Sequence, residues 1–316
     1  MSVEKETFWL NPHGDSKTKR LTVPSAEEIL YQPFPVLDHG FVRLVDYMGG
    51  DYSIGEAARV SYGKGTRSVR EEEGLIRFLM RNRHTTPTEM VELKFHAKMP
   101  IFVARQWIRH RTANVNEYSA RYSILDNEFY VPDSEDLAEQ SKSNRQGREN
   151  LLSSSEAERV RRLLIDDAET NYEHYLWLLN EDSESPGKPK DPNRGMLARE
   201  LARMDLTLNF YTQWYWKVDL HNLFNFLGLR MDPHAQKEIR GYANKMAEIT
   251  EAVAPISFKA FEDYRLNSIS LSALEINALA SINSGKNPRR VISQVFKNGR
   301  ERTEFKGKLE KLGIKS

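Results

Sequence analysis

Cysteine is absent from the 316 residues of the chain. This absence excludes disulfides, thiolate metal sites, iron–sulfur ligation and a thiol nucleophile. Long apolar runs are missing as well, since no stretch approaches the roughly 20 residues that a bilayer span needs. The polar segment from Met1 to Arg20 also lacks the apolar stretch of a secretory signal. We therefore expect a cytoplasmic protein with no membrane partner, whose covalent chemistry would use an oxygen or nitrogen nucleophile or a cofactor.

The charges of the chain nearly cancel, with 46 Lys or Arg against 45 Asp or Glu and a net charge of +1. Because non-specific binding to nucleic acid depends on neutralising many phosphates, we expect no nucleic-acid partner for the molecule as a whole. From Lys286 onward, however, ten Lys or Arg stand against three Glu. We interpret this basic segment as a solvated extension.

Patterning along the chain predicts an α+β fold, with a single mixed domain over residues 36–265. A polar N-terminal arm over 1–35 precedes it, and a basic C-terminal extension over 266–316 follows it. Surface insertions are predicted near 133–155 and 181–195. The other predicted elements are a strand at 41–46, helices near 75–80, 155–180 and 196–204, a strand at 206–218, a helix from Asp219, and a last long helix with Ile239 to Val253 on one face.

The clearest strand signal lies in residues 91–99, where apolar and polar side chains alternate with a period of two. His96 falls on the polar face and is expected at the surface. Pro100 ends the strand and suits the first turn of a helix over 101–108. Farther along, the Trp214-Tyr215-Trp216 run is expected to pack in the core or at an interface.

The densest cluster of functional side chains is the segment from Arg105 to Tyr122, which holds four arginines, one histidine and one glutamate. Arginine is the side chain best suited to a planar, bidentate grip on phosphate. A solvated charged turn would also be rich in arginine. The interleaved Gln106, Asn116 and Ser119 favour a binding site, because these groups can order a heterocycle as well as a phosphate.

The run Arg109-His110-Arg111, followed by seven residues and Ser119, resembles the RHR-x7-S signature of flavin-dependent thymidylate synthases. The resemblance covers roughly residues 38–255 and implies an α+β domain of that family's type. It continues in register through Ala57-Ala58-Arg59-Val60-Ser61, His84-x-Thr86-Pro87-x-Glu89, Asn116-Glu117-x-Ser119-x-Arg121-Tyr122, Ala202-Arg203, Tyr211-Thr212, Asn225-Phe226-Leu227, Leu229-Arg230 and His234-Ala235-Gln236.

The resemblance implies which residues bind each ligand. Ala120 stands where relatives commonly have Gly, and Asp219 and His221 stand where they often have Asn and Arg. The residues implied for dUMP are Gln106, Trp107, Ile108, Arg109, Glu117, Tyr118, Ser119, Ala120, Arg121, Arg203 and Arg230. Those implied for FAD are Ser61, Thr86, Glu89, Arg109, His110, Arg111, Asn116, Glu117, Asp219, Leu220, His221, Asn225 and His234, and those implied for stacking the folate are His84 and Tyr122.

The resemblance further implies methylation of dUMP to dTMP, with methylenetetrahydrofolate as one-carbon donor, FAD as redox cofactor, NADPH as reductant and tetrahydrofolate as product. Arg230 is expected to activate the uracil ring, because a fixed guanidinium would favour the anionic ring. Arg109, Arg121 and Arg203 are expected to hold the substrate, and Ser119 to orient it without attacking it. A homotetramer with shared active sites is implied too.

Other classes of protein fit less well. A metal hydrolase would have to use His84, Glu89, His110 and His234, whose spacings match no familiar helical ligand motif. A cysteine-dependent thymidylate synthase is excluded, since its nucleophile is missing. A nucleotide-binding relative without activity is the most serious alternative. It is disfavoured because every charged position assigned to dUMP is retained.

Overall fold

The structure is a computed structural model that describes residues 20–60, 69–142, 147–182 and 184–315. Ser61, one of the expected FAD contacts, lies outside the described residues. The predicted α+β class is confirmed, because the described residues contain both α-helices and strands and the strands pair in antiparallel sheets. No helix among the described residues has the length and apolar character to cross a membrane.

A five-stranded antiparallel sheet forms the centre of the first unit, Met1–Phe261, in the order β1-β2-β3-β7-β4. A separate hairpin is formed by β5 and β6. The strands are β1 (Phe34–Val36), β2 (Gly40–Met48), β3 (Glu92–Pro100), β4 (Asn114–Glu117), β5 (Ala138–Gln140), β6 (Arg148–Leu151) and β7 (Tyr211–Asp219).

Twelve α-helices occur in the described residues, together with short 3-10 turns at Thr86–Met90, Ser134–Asp136 and Arg203–Asp205 and a π-helical turn at Glu262–Leu266. The helices are α1 (Pro24–Ile29), α2 (Asp51–Val60), α3 (Val69–Arg81), α4 (Ile101–Trp107), α5 (Ser154–Leu179), α6 (Arg199–Ala202), α7 (Leu220–Arg230), α8 (Lys237–Val253), α9 (Pro255–Phe261), α10 (Ala273–Asn283), α11 (Pro288–Val295) and α12 (Gly299–Lys311).

The core of the first unit lies between the sheet and α8. The alternation in β3 buries its apolar residues on one face, as predicted, and Pro100 is both the last residue of β3 and the N-cap of α4. Trp107, at the end of α4, is fully buried and stacks on Phe226 of α7 at 5.0 Å between ring centroids. This aromatic packing fixes the end of α4, from which the arginine-rich segment begins.

The opposite face of the sheet carries polar side chains. The expectation of a surface His96 is wrong, since its ring is half-buried and packs at 5.0 Å from the ring of Tyr215. Arg43 Nη2 lies 2.9 Å from its Nδ1, and Gln213 Oε1 lies 2.9 Å from its Nε2. Cross-strand pairing sets His96 between these partners, because it lies opposite Arg43 on β2 and opposite Tyr215 on β7.

The long helix predicted at 155–180 is confirmed as α5. Ser153 caps its first turn by accepting from the backbone N–H of Glu156, and Asn180 ends it in the left-handed conformation. The strand predicted at 206–218 begins only at Tyr211, and the helix predicted at 196–204 is reduced to α6.

The segment 133–155 is not an unstructured excursion, because it contains the β5–β6 hairpin. Arg148 Nη2 donates to Glu238 Oε1 at 2.5 Å, and the Glu238 side chain is only 2% exposed. Tyr130 also donates to this carboxylate oxygen at 3.3 Å. A buried carboxylate needs such partners, so the hairpin is attached to the first turn of α8.

The second unit, Glu262–Ser316, folds as three helices, and the expectation of a solvated tail is therefore wrong. Helix α10 begins with a capping box between Ser272 and Glu275. Lys308 of α12 donates to both carboxylate oxygens of Glu275, at 2.7 and 2.8 Å. The core of this second unit consists of Ala278, Val291, Ile292, Phe296, Phe305 and Leu309.

Candidate active site

A cavity of about 400 Å³ opens beside the segment that follows β4. Six of the residues expected to bind the nucleotide line it together, although Arg203 lies more than 80 positions from the others in the sequence. Its apolar lining residues come from α4, from the loop after β4 and from the chain after the 3-10 turn at Arg203–Asp205. The lining consists of Glu117, Tyr118, Ser119, Ala120, Arg121 and Arg203 with Ile101, Leu125, Leu206 and Thr212.

Polar groups within the cavity are oriented by short hydrogen bonds. Thr212 Oγ1 of β7 donates to Glu117 Oε1 at 2.9 Å. Ser119 Oγ accepts from the backbone N–H and from Nε of Arg121, each at 3.3 Å. The guanidinium groups of Arg121 and Arg203 are exposed and have no carboxylate partner among the described residues. The cavity therefore offers two cations to an anionic ligand, and Glu117 to a donor on that ligand.

A second group of predicted residues meets where the end of α4 faces the end of α7. Arg230 Nε donates to His110 Nε2 at 3.1 Å, and Arg230 Nη2 donates to the backbone oxygen of Gln106 at 3.3 Å. The Gln106 side chain in turn donates to Gln236, just before α8. The described part of the chain makes no other hydrogen bond to Arg230, so Nη1 is available to a ligand.

His110 is neutral in this arrangement. Burial is the main cause that lowers its pKa to about 4, and the charge of Arg230 lowers it further. Because Nε2 accepts from Arg230, the ring proton of His110 lies on Nδ1. The imidazole also packs edge-on against Phe226, with 4.9 Å between centroids. His110 is thus an acceptor that orients Arg230.

Burial also lowers the pKa of the Arg230 guanidinium. A guanidinium remains protonated at neutral pH even so, because its ordinary pKa is above about 12. The result is a fixed positive charge in a half-buried position, held by one ring nitrogen and one backbone oxygen. Such a charge favours an anionic group placed next to it.

The residues expected around α7 occupy its first two turns. Asp219 is the N-cap, and its carboxylate accepts from the backbone and side chain of Asn222 at 2.9 and 2.7 Å. His221 Nε2 and Asn225 Nδ2 lie 3.4 Å apart on the same face. The 3-10 turn that carries Thr86 and Glu89 packs against α7. Because the Asp219 carboxylate caps the first turn of α7, it has a structural role in the chain itself.

Other predicted residues are exposed. Arg109, Arg111 and Asn116 present their side chains to solvent around β4. The His234 side chain is 84% exposed and bonds Asp232 at 2.8 Å. Tyr122 is 74% exposed with the guanidinium of Arg121 at 5.3 Å from its ring centroid. His84 is exposed, and its ring packs edge-on against Phe78 with 5.8 Å between centroids.

Two predicted residues cannot contact a ligand through their side chains. Trp107 is fully buried among aromatic rings. Leu220 is fully buried as well, and its backbone N–H already donates to Val91 at 2.8 Å. Ile108 is half-buried, between Trp107 and the exposed Arg109.

The sequence did not identify Thr212 or Gln236 as site residues. Thr212 donates a hydrogen bond to the Glu117 carboxylate, and the side-chain oxygen of Gln236 accepts one from the Gln106 side chain. Both partners are distant in sequence, so no local spacing could have indicated them. Their only signal was that they fall within the segments Tyr211-Thr212 and His234-Ala235-Gln236 of the resemblance.

Comparison with known proteins gives concordant results. The family model described as "Thymidylate synthase complementing protein" matches residues 43–256. The chain is 55% identical over 273 residues to the flavin-dependent thymidylate synthase of Rickettsia bellii, covering 86% of this chain and 92% of the relative. It is 59% identical over 256 residues to the enzyme of that name from Gluconobacter oxydans, covering 81% of each.

A solved structure shares the fold. The UMP/dUMP methylase PolB from Streptomyces cacaoi, crystallised with 5-Br dUMP, superposes with a TM-score of 0.63 and 31% sequence identity. The superposition covers 75% of this chain and 100% of the PolB chain.

Proposed function

Because the chain belongs to the flavin-dependent thymidylate synthase family, we propose that it methylates dUMP to dTMP. Methylenetetrahydrofolate donates the one-carbon unit, NADPH is the reductant and tetrahydrofolate is the folate product. The single observation that carries the proposal is the cavity in which Glu117, Ser119, Arg121 and Arg203 converge. Its two guanidinium groups have no carboxylate partner among the described residues, and they suit the dianionic phosphate of a nucleotide.

We assign the cavity to dUMP. Arg121 and Arg203 hold the phosphate, with Arg109 contributing from the turn after α4. The backbone at Tyr118 and Ala120 and the hydroxyl of Ser119 supply further polar contacts to the nucleotide. Glu117, fixed by Thr212, accepts from a donor on the ligand. The apolar floor at Leu125 and Leu206 excludes water from the face of the ring.

Arg230 is the proposed activating residue. Its guanidinium is half-buried, fixed in direction by His110 and the Gln106 carbonyl, and free at Nη1 among the described residues. Placed at the edge of the uracil ring, it would stabilise the anionic form and raise electron density at C5. One oriented donor of this kind is worth about 2.7–4 kcal/mol in a transition state.

The chemistry of the donor set fits FAD. Arg109 and Arg111 are exposed cations with no carboxylate partner among the described residues, and they suit a pyrophosphate. His110, Asn116, Glu117, His221, Asn225, His234, Thr86 and Glu89 supply polar groups around them. When bound, FAD supplies the electrons that complete the methyl group. Asp219 is committed to capping α7, so its contribution would be through that helix start.

Ser119 orients dUMP and is not a nucleophile. A serine hydroxyl attacks only when a neighbouring base accepts its proton. Here Ser119 Oγ accepts from Arg121, and no described histidine or carboxylate bonds to it. We expect Ser119→Ala to retain methylation with weakened binding of dUMP. A covalent nucleotide adduct at Ser119 in a quenched reaction would contradict this role.

We further propose a cytoplasmic homotetramer with active sites shared between subunits. Several residues assigned to FAD are exposed in the single chain. Two of them, Asn116 and Glu117, belong to β4, which is exposed along its whole length. The folate-stacking residues His84 and Tyr122 are also exposed in the single chain. A second subunit that covers these surfaces would complete the site.

The experiment that tests the function is the release of tritium from dUMP labelled at C5. We expect release that requires FAD, methylenetetrahydrofolate and NADPH together, from protein that shows a flavin band in its visible spectrum. Failure to bind flavin even when FAD is supplied in excess would refute the proposal. A flavoprotein without tritium release would identify the alternative, a nucleotide-binding relative without activity.

A further inference from the structure

Charge is divided unevenly between the two units of the chain. The second unit, Glu262–Ser316, contains eleven Lys or Arg and six Asp or Glu, whereas the rest of the chain contains 35 and 39. The near-neutral total therefore conceals a unit with a charge of about +5. The small total charge therefore does not disfavour a nucleic-acid partner for this unit.

The positive charge is further concentrated within one stretch. The 25 residues from Ile276 to Arg300 contain five Lys or Arg and no Asp or Glu. This stretch includes the end of α10, the connection to α11, all of α11 and the start of α12. The carboxylates of the unit lie outside this stretch, at Glu262, Asp263 and Glu275 before it and from Glu301 onward after it.

Helix α11 presents the cations on one face. Arg289, Arg290, Ser293 and Gln294 are exposed at helical spacing, with Lys286 before the helix and Lys297 after it. On the opposite face Val291 and Ile292 are buried in the core of the unit. We call the exposed set, from Lys286 to Lys297, the α11 face. It contains hydrogen-bond donors and cations and no exposed apolar side chain.

The stability of the unit does not account for these charges. No carboxylate within the described residues pairs with Lys286, Arg289, Arg290 or Lys297. Arg289 and Arg290 lie in the first turn of α11, which has no acidic residue. The helix dipole disfavours cations at that end. Two arginines at that end, with no carboxylate partner among the described residues, point to an anionic partner.

We propose that the α11 face binds the phosphate backbone of a nucleic acid. Guanidinium groups grip phosphate in a bidentate manner, and Ser and Gln are also common donors to phosphate and sugar. A membrane partner is disfavoured because the face lacks the apolar side chains that insert between lipids.

The connection between the helices agrees with this assignment. Only residues 296–298 separate α11 from α12, a connection of the length found in helix-turn-helix pairs, where the first helix contacts the backbone. Helix α12 interrupts its cations with Glu301, Glu304 and Glu310, so it is poorly suited to lie in a groove. The binding is therefore to the backbone and independent of base sequence.

The test measures the fluorescence anisotropy of labelled duplex and single-stranded oligonucleotides titrated with the full chain at several salt concentrations. Four cations in contact predict a slope of log affinity against log salt of about −3 to −4 on duplex DNA. The triple variant Lys286→Gln, Arg289→Gln, Arg290→Gln should reduce the slope to about −1 and weaken binding at low salt by roughly tenfold or more. A stronger response of the single strand would identify that form as the ligand.

The matched control is Lys306→Gln, Lys311→Gln, Lys315→Gln, which removes the same charge from α12 and the residues after it and should bind nearly as the parent does. Both variants should keep the flavin content, the activity and the melting temperature of the parent. Absence of binding by the parent, or equal loss in both variants, would overturn the proposal. So would equal binding of polyglutamate of the same charge, which would indicate an acidic protein as the partner.

Discussion

Arg230 Nε donates to Nε2 of His110 at 3.1 Å, so a neutral imidazole holds the guanidinium that we assign to the uracil ring. The pair joins the end of α7 to the end of α4, and the packing of Trp107 on Phe226 keeps these ends in place. The direction of the Arg230 charge is therefore set by the fold before a ligand binds. Pre-oriented charge is the largest electrostatic contribution that a site of this kind makes.

Replacement of Arg230 should impair the reaction far more than folding. Arg230→Ala removes the oriented charge, and we expect turnover to fall by roughly 10²–10³-fold. Arg230→Lys keeps a charge but loses the Nε donor to His110, so its turnover should lie between those of the parent and Arg230→Ala. Steady-state rates with saturating dUMP and FAD measure the effect. Arg159→Ala, an exposed arginine on α5, is the control, and turnover of Arg230→Ala within a few-fold of this control would exclude the role.

The pKa of His110 makes a prediction about stability against pH. The folded-state pKa of about 4 lies below the ordinary value of 6.5, so the unfolded chain binds a proton that the folded chain excludes. This group therefore destabilises the fold as pH falls from about 6.5 to about 4. Urea unfolding across that range should show a shallower loss of stability in His110→Gln than in the parent. An identical pH dependence in both proteins would contradict the assignment of a neutral, buried His110.

The same variant tests whether His110 acts only by orienting Arg230. The amide oxygen of His110→Gln can still accept from Arg230, whereas His110→Leu cannot. We expect the glutamine variant to retain more turnover than the leucine variant at equal flavin content. Similar losses in both would show that the ring has a role beyond that of an acceptor.

The hydrogen bond from Thr212 to Glu117 should contribute to the binding of dUMP. Thr212→Val keeps the shape of the side chain and removes the donor, which leaves Glu117 free to turn away. A single hydrogen bond contributes about 0.5–1.5 kcal/mol, so KM for dUMP should rise roughly two- to tenfold while kcat changes little. Thr303→Val on α12 provides the control. A change confined to kcat would place Glu117 in the chemical step instead.

Shared active sites predict complementation between inactive variants. Thr86→Trp should block the turn that packs on α7, and Arg203→Ala should weaken the nucleotide cavity. If one site takes these residues from different subunits, mixed oligomers will contain some sites free of both changes. Activity should then return when the two proteins are mixed under conditions of subunit exchange. No recovery after proven exchange, or an active monomer in sedimentation, would contradict sharing.

The sheet and the long helices could be predicted because their patterns are local. β3 alternates over its whole length, and α5 has a capping serine and a left-handed asparagine at its ends. The β5–β6 hairpin was missed because all four residues of β6 are exposed and three of them are polar, so no alternation with a buried face marked the strand. The helices after Leu266 were missed because the segment is rich in Lys and Arg and its few core residues are distributed over three helices.

The site could be predicted to the extent that its residues are contiguous. Glu117 to Arg121 lie side by side in the sequence and line the cavity together, and Arg203 was placed with them only by resemblance. The pairing of His110 with Arg230 spans 120 residues, and no local pattern reports it. Solvent exclusion around that pair, which sets the protonation of His110, is likewise a property of the folded chain alone.

The most direct test of the central claim is analysis of the products formed by the purified protein. The reaction contains dUMP, methylenetetrahydrofolate, FAD and NADPH, and mass spectrometry identifies both the nucleotide and the folate that leave. We predict dTMP in equal amount with tetrahydrofolate, at a rate that Arg230→Ala lowers by roughly 10²–10³-fold. Absence of dTMP from flavin-loaded protein, or release of dihydrofolate in its place, would contradict the account.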